Sequence, residues 1–126
     1  MKLQKLVYYS QAWSLVWEER ELFPEAIEAW ANGPVVRELY DQHRGKFRVS
    51  SWDAGHADAL VDQERETIDA VLEHYGDKTA QELSDLTHRE EPWLSARQGL
   101  APRERGDRII STASMHEYYS SLPPVP

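Results

Sequence analysis

The chain has 126 residues, 40% hydrophobic and 29% charged, enough for one hydrophobic core with little room for a second. Its Asp+Glu count of 22 against 14 Lys+Arg gives a formal net charge of -8, which opposes non-specific attraction to nucleic acid or to an anionic membrane. The lack of cysteine excludes disulfides, thiol catalysis and thiolate metal ligands; with no secretory leader and no apolar run near the roughly 20 residues of a membrane span, the cytoplasm is the expected compartment.

Residues 2–17 predict an amphipathic helix. Leu3, Leu6, Val7, Trp13 and Trp17 fall near one stripe, with Ser10 and Ser14 as small residues beside it. Tyr8, Tyr9, Ala12, Leu15 and Val16 widen the stripe, so this helix is expected to be covered on more than one side. The charged run at 18–21 reads as a solvated connection, and Ile27 and Trp30 bound a short piece that fits either a helical turn or a strand. The stretch 22–40 organises the chain around its Gly-Pro junction. Gly33 serves there as a cap or unusual backbone angle, and Pro34 suits a first helical turn because its missing N–H would be unbonded anyway. Val35, Val36, Leu39 and Tyr40 would then share a helical face, ending around His43 to Gly45. Phe47, Val49 and Ser51 alternate with their neighbours as a brief edge strand, and 53–58 reads as a loop.

Ile68, Val71, Leu72 and Tyr75 mark a helix between Gln63 and Tyr75, with a stop at Gly76. Thr79 and Glu82 have capping-box spacing, which opens another helix carrying Leu83 and Leu86 inward and ending near Glu91, before Pro92. Residues 96–107 read as a charged surface loop and the leading candidate for a mobile segment. Ile109 and Ile110 return to the core, and Ser111 caps a last helix with Met115, Tyr118, Tyr119 and Leu122. The expected fold is mainly α: one compact helical domain over 1–122 with a small β-hairpin or edge strand, then a stiff proline-rich tail at 123–126.

Little in the chain points to chemistry. Asp85, His88, Arg89, Glu90 and Glu91 form the densest polar group, and His88 facing a carboxylate could act as a base. The same spacing serves a helix end, with His88 favouring the dipole and Asp85 holding the turn, so structural or partner-contact use is the reading adopted, with no catalytic residue. None of the five histidines shows a recognised ligand spacing, and the glycines are scattered singly, so no metal, phosphate loop or cofactor is expected. Trp13, Trp17, Trp30, Trp52 and Trp93 can build the core or anchor a partner; Trp52 is the one placed most readily outside. Arg37, His43, Arg44, Lys46 and Arg48 form a modest basic cluster. Asp62 to Glu91 holds ten acidic residues against three basic ones, which favours a partner with a basic surface.

Several ordered segments together resemble a known family: MKLQKLVYYSQAW at 1–13, LF at 22–23, IEAWANGPVV at 27–36 with LY at 39–40, LSDLTHREEPW at 83–93, and IIS at 109–111 with YY at 118–119. They resemble the Panacea domain, the SocA-like family of bacterial and prophage antitoxins once described as phage-associated or GepA-like proteins. The resemblance implies a domain encoded beside a toxin that it neutralises by direct protein contact. It also implies two alternatives, an adaptor that delivers the toxin to a ClpXP-type protease and, behind it, a DNA-binding regulator, which the net charge and the lack of a helix-turn-helix disfavour. Ala29, Trp30, Gly33, Pro34, Val35 and Val36 match the family's central signature, and Asp85, His88, Pro92 and Trp93 its second one. Family members commonly carry another helix before the segment equivalent to MKLQKL. This chain begins inside that pattern and so is expected either to lack the family's first helix through a truncated or misassigned start, or to have its exposed stripe covered by a toxin or, through self-association of the first helix, by a second copy. In the second case Leu3 and Val7 form the interface, and Arg37, Arg44, Arg48 and Trp52 are further interface candidates.

Overall fold

The computed structural model describes residues 2–43, 62–101 and 103–122, and among them its first helix packs against more elements than any other. That helix, α1 (Lys2–Trp17), packs against α3 (Asp62–Tyr75), α4 (Ala80–His88) and α6 (Thr112–Ser120), and against strand β2 (Gly33–Val35). The remaining elements are β1 (Ile27–Trp30), α2 (Arg37–His43), α5 (Glu91–Ala96) and β3 (Ile109–Ile110). The mainly helical fold with a small sheet is therefore present. Among the described residues, no helix is long and apolar enough to cross a membrane.

The surroundings of α1 explain why so many of its residues are aromatic. Tyr8, Tyr9, Ala12 and Trp13 are almost wholly buried, and Tyr9 stacks on Tyr75 of α3 with ring centres 4.1 Å apart. Tyr119 of α6 closes the cluster edge-on against Tyr8 and tilted against Trp13. Such rings bury large areas in a small domain, and their polar ends still need partners. Trp13 Nε1 accordingly donates to Tyr75 Oη at 3.0 Å.

The buried surface of α1 includes Trp13 of the expected stripe and Tyr8, Tyr9, Ala12 and Leu15 of its expected widening, but not the rest of the stripe. Leu3, Leu6, Val7 and Trp17 are only half-buried, whereas Gln4, Lys5 and Gln11 are buried deeply. Each glutamine satisfies backbone that a loop would otherwise leave unpaired. Gln4 Oε1 accepts from Val36 N at 2.9 Å, while Gln11 Oε1 accepts from Leu22 N at 2.7 Å and its Nε2 donates to Phe23 O at 2.9 Å. Ser14 Oγ donates to Arg20 O. One polar edge of the helix thus holds the chain that follows it.

The Gly-Pro junction is a strand, not a helix start. β1 and β2 form a hairpin closed by the pair Trp30 and Gly33, and β3 adds antiparallel to the other edge of β1. Gly33 has φ +125, a backbone conformation that suits glycine, and turns the chain after Ala31 and Asn32. Pro34 faces Ala29 in the register. Hydrogen-bonded and non-bonded pairs alternate along an antiparallel ladder, so a proline fits opposite a residue whose own N–H and C=O point elsewhere. Ala29 meets this condition: its N–H donates to Arg108 O at 2.7 Å, and its C=O accepts from Arg97. Val35 and Val36 are consequently buried in the strand and its exit, and the helix begins only at Arg37.

Further along, the capping box forms as expected, with Thr79 Oγ1 accepting from Glu82 N and Glu82 Oε1 accepting from Thr79 N. Gly76 ends α3, and the Ser111 side chain caps α6. Pro92, however, opens a helix and does not end one: α4 stops at His88, and Pro92 occupies the first turn of α5, where no N–H is needed. Leu72 and Ile109, both expected inside, are exposed; Thr67, Val71 and Tyr75 form the inner face of α3, and Ile110 alone of its pair is buried. The expected edge strand at 47–51, the loop at 53–58 and the tail at 123–126 lie outside the described residues.

Candidate functional site

The two motifs separated in sequence meet at the hairpin tip. Four consecutive carbonyls, from Ala29 to Asn32, each accept a hydrogen bond from a side chain of the 84–97 segment. Arg97 Nη1 donates to Ala29 O at 2.9 Å, Trp93 Nε1 to Trp30 O at 2.9 Å, and Ser84 Oγ to Asn32 O at 3.1 Å. His88 Nε2 lies 3.1 Å from Ala31 O, and since a carbonyl can only accept, Nε2 is the nitrogen that carries the proton. The spacing of Ser84 and His88, one helical turn apart on α4, lets both reach the same loop, and Trp93 and Arg97 repeat that spacing at α5.

Two members of this clasp, His88 and Arg97, are set by their surroundings. Burial holds the His88 imidazole below its ordinary pKa, against the opposing effect of its bond to Ala31. Arg97 is only 4% exposed, although its segment reads as a surface loop. Its guanidinium lies over the Trp93 ring and also donates to Ala101 O and Glu104 O, so the chain wraps around it. Asp85, by contrast, is exposed and accepts from Gln81 on its own helix. It takes no part in the clasp.

Beneath the hairpin lies Lys5, 2% exposed, whose Nζ would stand 3.1 Å from a Cβ placed on Gly33 and whose pKa burial brings down to about 8. On the outer side, Glu28 accepts a forked pair from Arg37, Nη2 to Oε1 at 2.9 Å and Nε to Oε2 at 3.0 Å, and also accepts from Trp30 Nε1. The Arg37 bond holds the Glu28 carboxyl below the usual carboxylate range. Arg37 thus stands half-exposed beside Trp30, already paired.

A second polar group is buried behind α5. Glu90 Oε1 accepts from Tyr9 Oη at 2.6 Å and from Tyr119 Oη at 2.9 Å, and Tyr8 Oη stands 3.0 Å from Tyr119 Oη. Desolvation raises the Glu90 pKa, opposed by the two tyrosine donors. A carboxyl whose folded pKa lies above its unfolded one loses stability as pH rises from the unfolded value through the folded one. Glu90→Gln keeps an oxygen for both tyrosines and removes the charge. It is therefore expected to abolish this loss above the ordinary carboxylate range and to stay within about 1 kcal/mol of the parent or exceed it at pH 7. Glu90→Leu leaves the buried Tyr9 hydroxyl without its acceptor and Tyr119 with Tyr8 alone, and is expected to cost about 1–3 kcal/mol. Urea unfolding at a series of pH values separates the two.

Two clefts flank the tip. One, of 480 Å³, is lined by Trp30, Ala31, Asn32, Arg37, Arg105, Gly106 and Asp107. The other, of 630 Å³, lies between the tip and the α5 end, where His88, Trp93, Leu94, Arg97, Leu100 and Arg103 form its walls. Among the described residues, no group of three or more His, Cys, Asp or Glu is placed to hold a metal ion.

Of the residues singled out in the sequence, Ala29, Trp30, Gly33, Pro34, His88 and Trp93 converge here, and Val35, Val36 and Pro92 form the buried backing. Leu3 and Val7 lie on α1 and are half-buried. Arg44, Arg48 and Trp52 fall outside the described residues. Sequence reasoning missed Gln4, Lys5, Ser84 and Arg97, and named Glu90 only within a polar group, without its buried tyrosine partners. The available signal was polar residues, Gln4, Lys5 and Gln11, at helical spacing within an otherwise apolar helix.

The family described as Antitoxin SocA-like, Panacea domain matches this chain over residues 3–94. The match includes both halves of the clasp except Arg97. No curated protein and no solved structure matches the chain.

Proposed function

The chain belongs to the SocA-like Panacea domain family, and from that premise we propose that it is a non-catalytic antitoxin that neutralises a cognate toxin by direct protein binding. The family match is the observation that carries this reading. The hydrogen bonding of the clasp side chains supports a scaffold role for them, since His88, Trp93 and Arg97 each bond a carbonyl of the hairpin.

The test is co-expression with the product of the adjacent gene, read by growth rescue and by copurification. Rescue with a stable complex is the expected result. Rescue with no complex and faster disappearance of the toxin in the presence of a ClpXP-type protease replaces binding with the adaptor route. Neither rescue nor complex removes the antitoxin reading for this pair.

A further inference from the structure

The clefts astride the hairpin tip carry a charge opposite to that of the whole chain. In a protein of formal net charge -8, their lining includes Arg37, Arg97, Arg103 and Arg105 against the single carboxylate of Asp107. Arg37 is neutralised by Glu28, and Arg97 is surrounded by carbonyls that satisfy its N–H groups without cancelling its charge. Arg103 and Arg105 are exposed and form no ion pair among the described residues. The wider cleft adds an apolar surface, with Leu94 42% exposed beside the half-buried Leu100.

The tip between the clefts is also held in place before any partner arrives. Its four carbonyls are occupied from within, and Arg97 and His88 both pack against the Trp93 ring system, at 5.2 and 4.3 Å. A preformed surface binds with less loss of conformational freedom than one that must be ordered. Guanidinium groups match carboxylates in a forked geometry, and an apolar wall beside them selects a segment that also carries a hydrophobic side chain.

Building on the antitoxin reading, we infer that these two clefts dock an acidic segment of the protein partner. Its carboxylates face Arg103 and Arg105, and an apolar side chain lies against Leu94 and Leu100. This contact is opposite in sign to the acidic face expected along residues 62–91, so a partner engaging both would present an acidic segment within a basic surface. A nucleic acid offers phosphates to the same arginines, but the charge of the whole chain repels it.

The experiment uses the full chain and a short synthetic peptide of Asp and Glu around a central Trp, with the Asn and Gln counterpart as control. Saturable binding of the acidic peptide is expected, weakening with salt, with amide shifts at Leu94, Leu100, Arg103 and Arg105. Replacing both exposed arginines, R103E/R105E, is expected to weaken it by about tenfold or more. R103Q/R105Q, which avoids new acidic charge beside Glu104, should lie between. Equal binding of the neutral peptide, no saturable binding, unchanged affinity in R103E/R105E, preference for a single-stranded oligonucleotide, or a dimer of this chain abolished by R103E/R105E would each overturn the inference. Peptide binding without growth rescue by the parent chain removes the antitoxin reading and leaves the acidic-segment site standing. Rescue and complex formation unaltered in R103E/R105E remove the site from the toxin interface and leave the antitoxin reading standing.

Discussion

Gly33→Ala is expected to destabilise the fold by about 2–4 kcal/mol, seen as a lower urea midpoint with little change in slope. Two separate effects contribute. The backbone at φ +125 disfavours any side chain, at roughly 1–3 kcal/mol. The added Cβ would also stand 2.8 Å from Lys5 Cε and 3.3 Å from Thr87 Oγ1. Lys5 is flexible in principle, but it is buried at this point and can give way only by repacking under the hairpin. The double variant Gly33→Ala with Lys5→Ala isolates the terms, because shortening Lys5 relieves its steric contact and leaves the backbone cost. A Gly33→Ala chain as stable as the parent would mean that the hairpin does not require this conformation.

Arg97→Ala is expected to cost about 3 kcal/mol, because it removes at once a donor to the carbonyls of Ala29, Ala101 and Glu104, of which Ala101 keeps the Glu104 N–H. It also removes the plane stacked on Trp93. Arg97→Lys should recover less than half of the loss, since one ammonium on a flexible stem cannot reproduce a planar fork aimed at several acceptors. Thermal unfolding of both variants, with amide hydrogen exchange at the hairpin, tests this: protection should fall first at β1 and at residues 97–108. Full rescue by lysine would show that the charge matters at this position and the fork does not.

These two residues illustrate what a sequence can and cannot disclose. Gly33 stands out by its type and its neighbour, and an unusual backbone angle there is a sound expectation. The consequence was misplaced, because a Gly-Pro pair serves equally in a helix start and in a hairpin, and the choice depends on what lies across from it. Ala29 made the hairpin possible by turning its polar groups toward Arg97 and Arg108, both far away in sequence. Arg97 gave no signal, since a charged residue among Gly, Pro and other charges has the composition of a loop. Its burial arises only because the carbonyls it satisfies are gathered around it.

Pro92 and the stripe on α1 failed for related reasons. A proline both disfavours helix at the residue before it and suits the first turn of the next, so it marks a boundary without saying which side is helical. The wide apolar stripe of α1 implies cover on more than one side, as found; what periodicity does not show is that its polar edge faces backbone that needs partners. Leu72 was misassigned by one position, as Thr67, Val71 and Tyr75 at four-residue spacing turned inward.

By itself the sequence determined a single mainly helical domain, the extent of α1, the stop at Gly76, the capping boundaries at Thr79 and Ser111, and the motifs that mark its family. Each rests on interactions between residues close in the chain, or on side-chain types arranged in order. Only the tertiary structure decided that the junction is a hairpin, that residues 84–97 clasp its four carbonyls, and that arginines line the clefts beside the tip of an acidic protein. Those outcomes depend on pairing backbone groups across long sequence separations, where a buried donor is selected by the acceptor it meets and not by its neighbours in the chain.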